Sequence, residues 1–133
     1  MAPQVVPVKF SELSELSSIA KRNRLMLPFN SEPHWFGIYA DGKVVCCRRY
    51  YERGRTAFVT SVFCHPDYRG RGFGSACVDM GILTGKLNGC RIMIATCTPD
   101  SWPMYQRRGA VITRRFKNEC VQIQLNLCPE TIA

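Results

Sequence analysis

The stretch His65–Gly74, HPDYRGRGFG, decides how this chain reads. It holds three glycines, two arginines and no aliphatic residue, between an apolar run and the start of a helical pattern. Glycine loses more conformational freedom on folding than any other residue, so such a cluster serves unusual dihedrals or close backbone approach. At the head of a helix, unsatisfied N–H groups and the positive end of the helix dipole face outward. Glycines there remove the side chains that would hold an anion away, and successive amides can converge on a phosphate. Arg69 and Arg71 add attraction for the same charge. This is the physical recipe for binding a pyrophosphate.

Spacing separates three glycine-loop chemistries. A P-loop requires GxxxxGK followed by Ser or Thr, and no Lys follows Gly72 or Gly74. A dinucleotide-binding loop requires GxGxxG after an early strand, with an acidic residue about 20 positions on. Gly70, Gly72 and Gly74 instead stand as GxGxG, behind what read as antiparallel hairpins. The remaining pattern is Arg69-x-x-Gly72-x-Gly74, preceded by VFCHPDY.

Working outward, Thr56–Cys64 alternates as a strand, with Phe58, Thr60, Val62 and Cys64 on one face. Before it, His34–Ala40 and Lys43–Tyr51 read as strands joined by Asp41-Gly42, a strong two-residue hairpin signal, and Glu52–Arg55 makes the next turn. Val5–Phe10 alternates as a further strand, which Pro7 confines to an edge or a bulge. Ser11 is the expected cap of a helix carrying Leu13, Leu16 and Ala20, closed by Pro28. After the glycines, Phe73, Ala76, Met80, Leu83 and Leu87 fall at helical spacing and predict a helix with an apolar stripe, ended by Asn88-Gly89. Arg91–Cys97 predicts a central strand covered on both faces. Ser101–Arg108 predicts a short helix stopped by Gly109, and Ala110–Phe116 with Cys120–Leu127 a last hairpin around Lys117-Asn118-Glu119. The order is β-α-β-β-β-α-β-α-β-β, an α/β chain whose strand–helix–strand centre requires a right-handed parallel crossover. At 133 residues, without linker, repeat or low-complexity segment, residues 1–133 are expected to form a single domain.

VFCHPDYRGRGFGSA resembles motif A of the GCN5-related N-acetyltransferases (GNAT), whose signature is Q/R-x-x-G-x-G/A after a strand. The resemblance extends to the element order over nearly the whole chain. It extends also to Tyr105 ahead of QRRG, similar to the family's Y-x-x-x-G segment after the fifth strand. The resemblance implies a mixed sheet of about six or seven strands flanked by helices, with acetyl-CoA as cofactor. It implies that the pyrophosphate lies on the amides of Gly70, Arg71, Gly72, Phe73, Gly74 and Ser75, with Arg69 opening the loop. The pantetheine arm would pair with the backbone of Val62, Phe63 and Cys64 like an added strand. A backbone N–H near Cys64 would polarise the acetyl carbonyl. An acceptor amine would attack directly, and Tyr105 would protonate the departing thiolate as general acid. His34 and Trp35, at the second strand, would border the acceptor cleft.

Other readings of the same residues stand beside these. Tyr105 on spacing alone is half-buried packing in a short helix. Cys64, on an apolar strand, reads as packing rather than a nucleophile, and His65-Pro66 mainly ends the strand. Many family members carry a Glu on the fourth or fifth strand to deprotonate the amine; Thr56–Cys64 and Arg91–Cys97 hold no Asp or Glu. General base catalysis contributes about 10²–10⁴-fold, and water or a carbonyl can partly substitute.

Composition bounds the rest. Apolar residues at 46% and aromatics at 11% argue against disorder. A net charge of +8 favours an anionic partner: a phosphorylated cofactor, an acidic protein face or nucleic acid. No apolar run approaches the roughly 18 residues of a membrane span. MAPQVVPVKF lacks the basic and apolar segments of a secretory signal, so a cytoplasmic location is expected. The eight cysteines form no CxxC and no zinc-finger spacing, so no metal site is expected and most read as small buried hydrophobes. Three functions compete. The first is an N-acetyltransferase acting on a primary amine of a protein or small molecule; the second is an acetyltransferase-like interaction protein with little or no turnover. Direct nucleic-acid binding ranks last, since the charge can serve the cofactor's phosphates or an acidic acceptor. The final hairpin offers an edge for a homodimer.

Overall fold

The computed structural model describes residues 3–22, 34–117 and 119–128. Its strands are β1 (Val6–Pro7), β2 (Trp35–Ala40), β3 (Lys43–Arg53), β4 (Thr56–Cys64), β5 (Ile92–Cys97), β6 (Val111–Arg115) and β7 (Val121–Asn126). Its α-helices are α1 (Ser14–Arg22), α2 (Phe73–Leu87) and α3 (Trp102–Gln106). Hydrogen bonding joins the strands in the order β1-β2-β3-β4-β5-β7-β6. β4 and β5 run parallel across α2, as the strand–helix–strand reading requires. The mixed sheet with helices is the expected fold class, and the β4 boundaries are those read from the sequence.

The chain divides into two compact units, Met1–Arg49 with Ser61–Cys77 and Tyr50–Thr60 with Val78–Ala133. In the first, the apolar side of α1 (Leu16, Ile19, Ala20) and Leu13 bury against Trp35, Val44, Cys47 and Phe63. A second cluster gathers Ile38, Val45, Cys46, Tyr68 and Cys77, with Cys64, Phe73 and Ala76 against it. Asp41 and Gly42 take φ of 51° and 76°, the paired left-handed conformations of a tight hairpin turn. Gly37 is required by close approach: a Cβ there would stand 2.7 Å from the Cys46 carbonyl oxygen and 2.9 Å from Val44. In the second unit, β5 pairs with β7 from Ile92↔Asn126 to Cys97↔Val121, and β4 with β5 from Thr56↔Ile92 to Val59↔Ala95.

Four expectations are corrected. The first strand is Val6–Pro7 rather than Val5–Phe10: its register with β2 covers Val6 and Pro7, one further bond runs from the Val8 amide to the Trp35 carbonyl at 3.0 Å, and Phe10 already opens a 3-10 turn. Ser11 lies inside a 3-10 turn, Phe10–Leu13, and is no cap; the Glu12 carboxylate accepts the Lys9 amide at 3.0 Å instead. Arg91–Cys97 is not covered on both faces: Met93, Ala95 and Cys97 are buried, whereas Thr96 is exposed. The predicted stripe of α2 divides: Phe73 and Ala76 pack against the cluster around Cys46, whereas Met80, Leu83 and Leu87 are exposed at 37%, 48% and 77%. The inward face carries Val78, Gly81 and Gly85. A Cβ on Gly85 would stand 2.8 Å from Leu127 and 3.3 Å from Ala57. Close packing thus selects small residues that hydrophobic periodicity does not weight. Pro28 and Asn118 lie outside the described residues.

Candidate functional site

The segment from β4 into α2 is built from the backbone outward. His65 follows β4 and donates its amide to the Val45 carbonyl at 2.7 Å. Its ring fastens the turn: Nδ1 accepts the Asp67 amide at 3.1 Å, and Nε2, left with the proton, faces Glu15 Oε1 at 3.3 Å. His65 is therefore a structural cap, consistent with its expected part in ending the strand. A 3-10 turn, Pro66–Tyr68, carries the chain away from the sheet.

Gly70 and Gly72 then take φ of 79° and 83°, a region that only glycine enters routinely. Around both, the space a Cβ would fill is open to 4 Å. Gly72 caps α2 by accepting the Ala76 amide at 2.9 Å. The amides of the first helical turn therefore point outward with no carbonyl of their own helix to meet. The result is a bare backbone at the positive end of a 15-residue helix.

The two arginines are anchored from below and exposed. Arg69 donates Nε to the Cys64 carbonyl at 3.2 Å, with its guanidinium 5.6 Å from the Phe63 ring. Arg71 lies 4.8 Å over the Tyr68 ring and donates to the Asp67 carbonyl at 3.4 Å. Tyr68 is buried and donates its hydroxyl to Asp41 at 2.5 Å, and this bond raises its pKa above the ordinary tyrosine value. Lys43 stands 5.7 Å from the same ring and 3.3 Å from Glu15, whose carboxyl it holds below the usual range. The loop thus presents positive charge on a cross-braced support.

Phe63 is buried in the α1 cluster, while Val62 and Cys64 are half-buried. The Cys64 thiol lies below its ordinary range, first through a hydrogen bond from Cys46 and then through the Arg69 and Arg71 charges, against the opposing effect of burial. Trp35 is buried with the α1 cluster, and His34 is exposed. Tyr105 belongs to the second unit, on α3, and is 1% exposed. Val62–Ser75 come together in the first unit. Among the described residues, no group of three or more His, Cys, Asp or Glu is placed to hold a metal ion, and no helix is long and apolar enough to cross a membrane.

Sequence reasoning missed the supports. Asp41 and Glu15 lie 27 and 50 residues from the Tyr68 and His65 they brace, and no local spacing announces such pairs. Strand alternation could have found one further group: Cys46 and Cys64 both fall on readable strands.

Residues 8–110 match the acetyltransferase (GNAT) family model. No curated protein sequence matches the chain. Among solved structures, an acetyltransferase of the GNAT family from Staphylococcus aureus Mu50 superposes with a TM-score of 0.80 at 14% identity, covering 96% of this chain and 100% of that one. The PaiA N-acetyltransferase of Thermoplasma acidophilum, in complex with coenzyme A, gives 0.74 at 10% identity over 95% and 99%. YncA of Salmonella typhimurium, with its cofactor acetyl-CoA, gives 0.70 at 14% identity over 100% and 98%.

Proposed function

The chain belongs to the acetyltransferase (GNAT) family, and on that premise we propose that it transfers an acetyl group from acetyl-CoA to a primary amine. One observation carries the reading: Gly70 and Gly72 hold left-handed backbone in open space at the head of α2, the cradle a diphosphate would fill. Two related structures are solved with coenzyme A or acetyl-CoA.

In this reading the amides of Gly70–Ser75 hold the diphosphate, and Arg69 and Arg71 add charge. The backbone of Val62–Cys64 pairs with the pantetheine arm. Bound there, acetyl-CoA supplies the thioester that the amine attacks. A backbone N–H at Cys64 polarises the acetyl carbonyl as the C–N bond forms and the C–S bond breaks. Tyr105 gives its phenolic proton to the leaving sulfur, and the amine's proton passes to water. Residues 1–133 act as one catalytic domain, in the cytoplasm. With a net charge of +8, the acceptor that fits best is an amine on an acidic protein surface.

Calorimetry with acetyl-CoA, followed by coenzyme A release across an amine panel, tests this. No binding at millimolar acetyl-CoA would end the reading. The lack of Asp or Glu in β4 and β5 favours one other function, a partner-binding domain with little turnover. A stoichiometric partner that stays unacetylated in the presence of acetyl-CoA, by mass spectrometry, would select it.

A further inference from the structure

The first unit brings three cysteines into one cluster, and acetyl transfer uses none of their thiols. The strands β3 and β4 are joined by a two-residue turn and so run antiparallel. The His65 amide, just past the end of β4, donates to the Val45 carbonyl at 2.7 Å and holds that end beside the Val45–Cys46 stretch of β3. Cys64 packs there against the cluster that contains Cys46 and Cys77. The Cys46 thiol donates to Cys64 and lies 3.6 Å from the Cys77 sulfur at the start of α2. Cys46 and Cys77 are fully buried, and Cys64 is half-buried, so solvent reaches the cluster through Cys64.

We infer that Cys64, Cys46 and Cys77 form an oxidation site for a small hydroperoxide, with Cys64 as the attacked thiol and Cys46 as its resolving partner. The Cys64 sulfur attacks the peroxide, the O–O bond breaks, and alcohol or water leaves, giving a sulfenic acid. The Cys46 sulfur then attacks Cys64. The S–O bond breaks and water departs with the Cys46 proton. Two thiols have lost two electrons to one peroxide, and a Cys46–Cys64 disulfide remains. Cys77 can attack Cys46 in turn, releasing the Cys64 thiolate and leaving a Cys46–Cys77 disulfide. The hydrogen bond from Cys46 and the charges of Arg69 and Arg71 favour the thiolate that the first step needs. Cys47 takes no part: its side chain packs in the α1 cluster, apart from the cluster that holds Cys46 and Cys77.

The test treats the intact reduced protein with hydrogen peroxide, blocks free thiols and maps tryptic peptides by mass spectrometry. The expected product links VVCCR to TAFVTSVFCHPDYR or to GFGSACVDMGILTGK, through Cys46 by fragmentation. Cys64 should react about tenfold or more faster than exposed Cys128. Cys46→Ser should leave a sulfenic acid on Cys64 that dimedone traps, in yield well above wild type. Oxidation that reaches Cys128 first and forms no bond to Cys46 overturns the site. Equal dimedone yields in wild type and variant overturn the resolving role. If Cys46→Ser fails to fold, the wild-type peptide map alone decides. The oxidation is read on the protein by itself, so its failure leaves the acetyl-transfer reading untouched.

Discussion

Gly72→Ala and Gly89→Ala make a matched pair that separates binding from stability. Both glycines have left-handed backbone, φ 83° and 79°, and at neither would a Cβ meet an atom within 4 Å. A left-handed alanine costs roughly 1–2 kcal/mol, offset by about 0.4–1 kcal/mol because alanine restricts the unfolded chain. Each variant should therefore lose about 1 kcal/mol, a fall in Tm of about 4 °C for 133 residues. Their effect on ligand should differ. A methyl group added at Gly72 would stand in the proposed diphosphate site, whereas Gly89 follows the far end of α2. Disturbing one charge-assisted hydrogen bond costs about 1.5–3 kcal/mol. Gly72→Ala should thus weaken coenzyme A about tenfold or more, and Gly89→Ala should leave its Kd unchanged. Scanning calorimetry reads the first quantity and titration calorimetry the second. Equal affinity in the two variants, with equal loss of stability, would refute a backbone cradle at Gly72.

Other outcomes follow from the same geometry. On the proposed general-acid role, Tyr105→Phe should lower kcat about 10²-fold or more while leaving the Kd for acetyl-CoA within twofold; an unchanged kcat removes Tyr105 from the mechanism. Gly37→Ala should destabilise by about 1–3 kcal/mol, since its Cβ meets a backbone oxygen that cannot yield; denaturant unfolding with no loss contradicts that packing. Glu52 accepts hydrogen bonds from Tyr50 and Asn88, at 2.6 Å each, which hold its carboxyl below the ordinary 4.5. A lowered folded value means the stabilisation is present above the unfolded value and is lost as pH falls through the folded one. Because Glu52 is exposed, the effect is small. Glu52→Gln should flatten the acid limb of the stability curve below pH 4.5 and leave its shape at pH 7 unchanged, read by urea midpoints across pH; parallel acid limbs would show that the carboxylate is unlinked to folding.

The loop was legible in the sequence because its information is local: glycines, arginines and a strand end within ten residues, at a fixed distance from a helix. The Asp41-Gly42 turn and β4 were readable for the same reason. The inward face of α2 was not, because it carries Gly81 and Gly85, the latter tight against Leu127 and Ala57, where smallness replaces apolarity as the signal. The brace beneath the arginines was hidden by distance along the chain. Tyr68 reads as one aromatic among several until Asp41 receives its hydroxyl and Arg71 covers its ring. Ser11 as a cap failed because Lys9 and Glu12 close the turn first.

Amide-resolved NMR during a coenzyme A titration tests the anion cradle most directly. The N–H resonances of Gly70–Ser75 should shift together and saturate with the ligand, the diphosphate drawing them downfield. Shifts confined to other parts of the chain, with those six amides unmoved at saturating ligand, would contradict it.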